Sequence, residues 1–341
     1  MSAPVSTTQT STTAAPQVLR LSDHDDDDNA VKQDSSSSGN RDRKDDKTNN
    51  AVSVPWDIPS PPTFQDPHEY RAHLKGRLAL AFRIFAKYGY DEGVAGHITV
   101  KDPVDPTCFW VNPFGVSWAR LQASDLILVN SQGTVVAGGP VRRLNTGAFM
   151  IHHAGKCLFL YTHTWSPVGE GTTNGLYSPR DAYLFLPGTQ HAVHTARPEA
   201  TCVAHSHTIY GRAFSALGRK LDIITQDSCV FYNSDFTGSA LELGPGQAVA
   251  DALGPENKLV ILQNHGLLTV GRTVESAVFW FMSAEKCCQS QLAADAAARG
   301  RNQETIKVRH EDAKRAFETV GTEDMGWFSA MPTFDDMARV A

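Results

Sequence analysis

The chain is predicted to fold as an α/β domain, and three observations predict it. Glu69 to Tyr88 carries apolar residues at Leu74, Leu78, Ala81, Phe82 and Phe85, the spacing of one helix face. Short apolar runs bounded by Pro, Gly and Asn then recur between Ile98 and Leu262, as half-buried or fully buried strands do. A second helical stretch follows Thr273 and runs to about Ala298.

The first 60 or so residues are different in kind. Asp25 to Asp28, Ser35 to Ser38 and the mixed-charge stretch Arg41 to Lys47 offer too few apolar groups to offset ordering entropy, so residues 1–60 read as a disordered acidic and Ser-rich tail. Folded sequence is expected from Pro55-Trp56, with the main domain over 61–300. Gly89 is a natural stop for the first helix. Ile98 to Lys101, Cys108 to Val111 and Leu126 to Val129 follow as strands. Thr201 to Ala204 and Leu259 to Leu262 are short apolar runs that read as buried strands. Thr273 can cap the long helix, with Glu275 well placed in its first turn. Residues 301–341 form a partly helical C-terminal arm.

Composition narrows the function. The 341 residues are 41% hydrophobic with a net charge of −6. No apolar run is long enough to span a bilayer, and Met1-Ser2-Ala3-Pro4 lacks the charged and apolar segments of a secretory leader. A cytoplasmic, reducing location is therefore expected. The six cysteines show no C-x-x-C spacing and read as small core residues. Neither charge nor patterning suggests nucleic acid or a membrane as a partner.

The chemistry-bearing feature is His205-Ser206-His207, with His265 placed 58 positions after His207. Both segments follow apolar runs. In a strand, residues i and i+2 share a face, so His205 and His207 point together while Ser206 turns away. An isolated H-x-H is often only a packed or exposed pair. A third histidine at the end of a hydrophobic strand, followed by a glycine that lets the backbone turn close to a ligand, favours a metal site. Three neutral imidazoles with an open position suit a catalytic Zn²⁺ better than a structural one.

The segments Ala204 to Gly211, Gln263 to Leu268 and Gly96 to Val100, in this order and spacing, resemble the class II aldolase/adducin family, in particular its adducin-like branch found in fungi. Thr225-Gln226-Asp227 and Ala196 to Ala200 share in the resemblance, which covers roughly Glu69 to Ala298. It implies a three-layer αβα sandwich around a central mixed, largely antiparallel sheet. It also implies a homotetramer with a divalent metal, typically zinc, on His205, His207 and His265. A zinc ion so held supports C–C cleavage of a small hydroxy-carbonyl or hydroxy-acid substrate.

The sequence departs from the aldolases where their acid/base glutamate stands, since that position is Ala148 here. Thr146-Gly147 and Gly96-His97 likewise replace the paired serines and Gly-Asn turn of the phosphate cradle, although Asn112 to Gly115 can still offer backbone N–H groups to an anion. Two functions follow. The first is a metal-dependent lyase, by aldol cleavage or by decarboxylation, with His97 or Tyr210 returning the proton. The second is a non-catalytic adducin-like scaffold with a cytoskeletal partner such as actin. All three histidines remain, and no lysine-rich C-terminal tail is present, which favours the lyase.

One stretch breaks the family pattern. Met150-Ile151-His152-His153-Ala154 resembles a family helix that continues directly into Val193-His194-Thr195-Ala196, yet Gly155 to Ala192 intervene, rich in Gly, Pro, Thr and Trp. Gly155-Lys156-Cys157 can be encoded by GGTAAGTGC, which contains a splice donor, and Ala192-Val193 by a sequence that ends an intron in the matching phase. Residues 155–192 thus read as retained intron, with a genuine functional loop as the alternative; under the intron reading His163 and His191 have no role. Three further positions have ordinary readings. His152-His153 is a helix-surface pair, Asp227 either lines the pocket or serves a turn, and Glu285 is a solvated or inter-subunit charge.

Overall fold

The computed structural model describes residues 58–145, 192–232, 240–241 and 246–340. Chain contacts divide the protein at Pro55, and every described residue belongs to the second unit, Trp56–Ala341.

Helix α1 spans Pro67–Lys87. It starts two residues before Glu69 because Asp66 caps it, accepting from the His68 N–H at 2.8 Å, and Pro67 fills the first turn. Gly89, with φ +72°, follows its end. Strands β1 (His97–Lys101), β2 (Phe109–Val111) and β3 (Ile127–Val129) come next, then β4 (Val135–Gly138). Helix α2 (Ala192–Ala196) leads into β5 (Cys202–Ser206) and α3 (Ile209–Ser215). They are followed by β6 (Ala240–Leu241), α4 (Gly246–Leu253), β7 (Leu259–Leu262) and β8 (Gly266–Gly271). Helices α5 (Val274–Arg299), α6 (His310–Val320) and α7 (Glu323–Arg339) complete the described chain.

The eight strands form one sheet in the order β4-β3-β2-β1-β5-β8-β7-β6. Every neighbouring pair is antiparallel except β6 and β7, so the sheet is mixed and largely antiparallel. Helices cover both faces. Cys202 and Ala204 of β5 join Leu78, Phe82 and Phe85 of α1 and Phe281 of α5 in the larger core. Val203 points the other way, toward Val193 of α2 and Val249 and Leu253 of α4. Burial on both faces explains why β5 and β7 read as unbroken apolar runs rather than alternating ones.

Thr273 caps α5 in a reciprocal arrangement with Ser276. The C-terminal arm folds back on it, with Trp327, Ala330, Phe334 and Met337 of α7 buried. A Cβ at Gly326 would stand 2.3 Å from the Trp280 ring, so glycine alone permits this crossing. Under α7 lies the ion pair of Arg77 and Glu275 at 2.5 Å, with the Phe334 ring 4.4 Å from the guanidinium.

A candidate metal centre at the end of the sheet

His205 is the fourth residue of β5, and His207 stands one residue beyond the strand's end. β5 pairs with β8 so that His205 lies opposite Leu268. That register brings the β7–β8 turn, Gln263 to His265, beside the end of β5. Asn264 adopts φ 56° to make the turn, and the His265 N–H closes it on the Leu262 carbonyl at 3.0 Å. A Cβ at Gly266 would meet the Ser206 carbonyl oxygen at 2.6 Å, so the glycine is what lets the turn approach β5.

The three imidazoles converge through the same atom. Nε2 of His205 is 3.1 Å from that of His265 and 3.2 Å from that of His207, and the last two are 3.1 Å apart. Zn–N bonds of about 2.0–2.1 Å in tetrahedral geometry place their nitrogens roughly 3.3 Å apart, so the donor set fits a small divalent ion. His205 Nδ1 lies 2.8 Å from the Leu267 carbonyl, which can only accept. The proton therefore resides on Nδ1 and the Nε2 lone pair faces the centre.

Electrostatics favours the ligating form. Burial, and then the neighbouring His207, pushes His265 down to about 4. His207 is also lowered, by burial first and then by Arg212, with Glu92 opposing. Both are neutral at physiological pH, as metal ligands must be.

His97 joins this cluster. It is buried, pairs with His205 across β1 and β5, and its ring centroid is 5.1 Å from that of His205. Gly96 permits the approach, since a Cβ there would stand 2.9 Å from the His205 carbonyl oxygen. Tyr210 is the second residue of α3, is 37% exposed and donates its backbone N–H to Glu285 at 3.0 Å.

Two expectations are corrected and one open alternative is decided. Glu285 is not a solvated charge: it is buried and accepts hydrogen bonds from Thr208, Tyr210 and Gly211. Only its place, on the helix face that packs over α3, reveals this, and periodicity over Ala277, Phe281 and Cys288 was the available signal. Asp227 is exposed at the start of a 3₁₀ turn, Asp227–Phe231, which is the turn role of its two readings. In the Asn112 to Gly115 loop the Phe114 N–H is committed to the Arg143 carbonyl at 2.8 Å, which takes a central donor out of the expected anion cradle. Thr146, Gly147, Ala148, His152, His153 and the segment from Gly155 to His191 lie outside the described residues. Among the described residues no helix is long and apolar enough to cross a membrane.

The Class II Aldolase and Adducin N-terminal domain family matches residues 76–157 and 189–292. The chain belongs to the class II aldolase and adducin family. The match breaks between residues 157 and 189. The chain is 36% identical over 243 residues to the meiotically up-regulated gene 14 protein of Schizosaccharomyces pombe, covering 70% of this chain and 79% of that protein. It is 36% identical over 278 residues to the decarboxylase NovR of Streptomyces niveus, covering 80% and 86%. Among solved structures it resembles L-fuculose 1-phosphate aldolase from Glaciozyma antarctica PI12, with a TM-score of 0.65 and 42% identity over 82% of this chain and 94% of that one.

Proposed function

We propose that this family member is a lyase-type enzyme that breaks a C–C bond in a small hydroxy-carbonyl or hydroxy-acid substrate at a divalent metal, zinc in the first instance, held by His205, His207 and His265. The observation that carries the reading is the convergence of three Nε2 atoms within 3.2 Å of one another on one end of the sheet. When bound, the ion supplies Lewis acidity toward a substrate oxygen and stabilises the charge that cleavage leaves there.

The chain's own residues do the rest. Leu267 fixes the tautomer and rotation of His205 through its carbonyl. His97, on the same face as His205, is our first candidate to move a proton to the substrate, and Tyr210 in the first turn of α3 is the second. Decarboxylation is favoured over aldol cleavage because Ala148 stands where the aldolases carry their glutamate, and loss of CO₂ generates the electron pair without a base. The similarity to a protein named as a decarboxylase supports the same choice. A homotetramer in the cytoplasm acting on a small molecule completes the reading, on the strength of the family.

The test is metal content by mass spectrometry of the purified chain and of His205→Ala, followed by a screen of hydroxy- and oxo-acids for CO₂ release. About one metal per chain, lost in the variant, supports the lyase. A folded chain without metal sinks it and leaves the adducin-like scaffold, with a cytoskeletal partner, in its place.

A further inference from the structure

The strand ladder does not hold His207. The last β5–β8 pair is Ser206 with Leu267, so this histidine lies beyond the register that fixes His205. Something else must set its position. On one side the Ser206 hydroxyl donates to the Tyr90 carbonyl. On the other, Thr208 and the first turn of α3 converge on a single carboxylate. Oε2 of Glu285 accepts from the Thr208 hydroxyl at 2.5 Å and from the Gly211 N–H at 2.8 Å, and Oε1 accepts from the Tyr210 N–H at 3.0 Å.

A buried carboxylate is an expensive way to satisfy a short helix's first turn. Ser, Thr, Asn or Asp at the cap does so from within the segment, and Thr208 occupies that place without capping. Its hydroxyl is turned to Glu285 instead. Among the described ion pairs Glu285 has none, so its charge is balanced by three hydrogen bonds from the one segment that follows the ligand. We infer that Glu285 is a positioning residue of the metal centre, holding Thr208, Tyr210 and Gly211 so that His207 reaches the point where the other two imidazoles meet. This rests on the metal-binding reading above. Groups that orient ligands from outside the coordination sphere commonly change metal affinity by about 10–100-fold.

The experiment is a cobalt(II) titration of the full chain, followed by visible absorption, which reports coordination geometry as well as affinity. Glu285→Gln keeps the shape but sets an NH₂ against an N–H donor, and it should weaken binding by about 10–100-fold and alter the spectrum. Thr208→Val, which removes one of the three bonds, should shift both in the same direction by less and covers the case in which Glu285→Gln fails to fold. The control is Glu275→Gln, an equally buried carboxylate ten residues earlier on α5, about 15 Å along the axis and paired with Arg77. It should lower thermal stability while leaving cobalt affinity and spectrum unchanged. Binding by Glu285→Gln and Thr208→Val equal to wild type, or equal losses in Glu285→Gln and Glu275→Gln, overturns the positioning role and leaves the metal centre standing. A wild-type chain that takes up no cobalt overturns the centre, and the positioning role with it.

Discussion

His97 and His205 stand directly opposite each other across β1 and β5, both buried, with ring centroids 5.1 Å apart. Directly opposed residues in an antiparallel pair share a face, so a fourth imidazole belongs to the neighbourhood of the triad without joining its converging Nε2 atoms. If His97 moves a proton, His97→Ala should keep its metal and lose about 10²–10⁴-fold in turnover, with thermal stability near wild type. Metal analysis beside steady-state rates checks this. Loss of metal together with rate would reassign His97 to the support of His205.

Metal should act as a staple between β5 and the β7–β8 turn. Ligand binding to the native state alone raises apparent stability by about 2.7 kcal/mol at a hundredfold excess over Kd. Chelator treatment should therefore lower the melting temperature of the wild type and leave that of His265→Ala unmoved, as read by calorimetry on both proteins with and without chelator.

Gly266→Ala should be costly for its size. The added methyl would lie 2.6 Å from the Ser206 carbonyl oxygen, a backbone atom that cannot swing aside. Overpacking of this kind costs about 1–3 kcal/mol, and here it also pushes His265 away from its partners. A denaturant titration should show the loss of stability, and metal analysis a fall in occupancy.

Lys258 offers a pH test remote from the centre. Burial pushes it down to about 8, although its ammonium donates to the Val230 and Gly321 carbonyls and lies over the Trp280 and Phe317 rings. The native state thus binds fewer protons at this group than the unfolded chain does between about pH 8 and 10.5. The cost of the buried cation is fully present below pH 8 and is relieved as pH rises through that window. Tyr90 and Cys287, raised by burial, act in the opposite sense at alkaline pH, so the observable is a difference. The stability of Lys258→Met relative to wild type should fall as pH rises from 8 to 10. A constant difference would mean that the carbonyls and rings hold the ammonium at its ordinary value.

Removing Gly155 to Ala192 should stabilise the protein. α2 begins at Ala192 with five residues, buries Val193 and is too short to hold itself as a helix. Joined to Met150 through Ala154, it would gain more than a turn. The shortened chain should melt several degrees higher than the full chain, and peptides from the natural protein should skip the segment. Complete peptide coverage of 155–192 would establish it as genuine protein.

What could be read from the sequence was whatever one periodicity carries. Leu74, Leu78, Phe82 and Phe85 marked α1, and the apolar runs before His205 and His265 marked β5 and β7. The triad was legible because H-x-H at a strand end leaves little choice of direction. β4 was missed because none of its residues is fully buried at the sheet edge, Val136 being exposed, and its patterning is weak. β8 was hidden behind His265, whose segment read as the end of one strand rather than the bend between two. The packing of α7 was obscured by Pro332, even though Trp327, Ala330, Phe334 and Met337 already had helical spacing. Glu285 was misread because charge alone says nothing about which donors surround it.

The turn at Gln263 to His265 closes the hairpin and presents a ligand at once, and this fixes its length. Strand side chains alternate with period two, so one residue added to or removed from the turn would exchange the two faces of β8. Leu268 and Val270 would leave the core they share with Val203, and Leu267 and Thr269 would take their place. His265 would swing out of reach in the same step. A three-residue bend here is the condition for having both a packed sheet and a third imidazole.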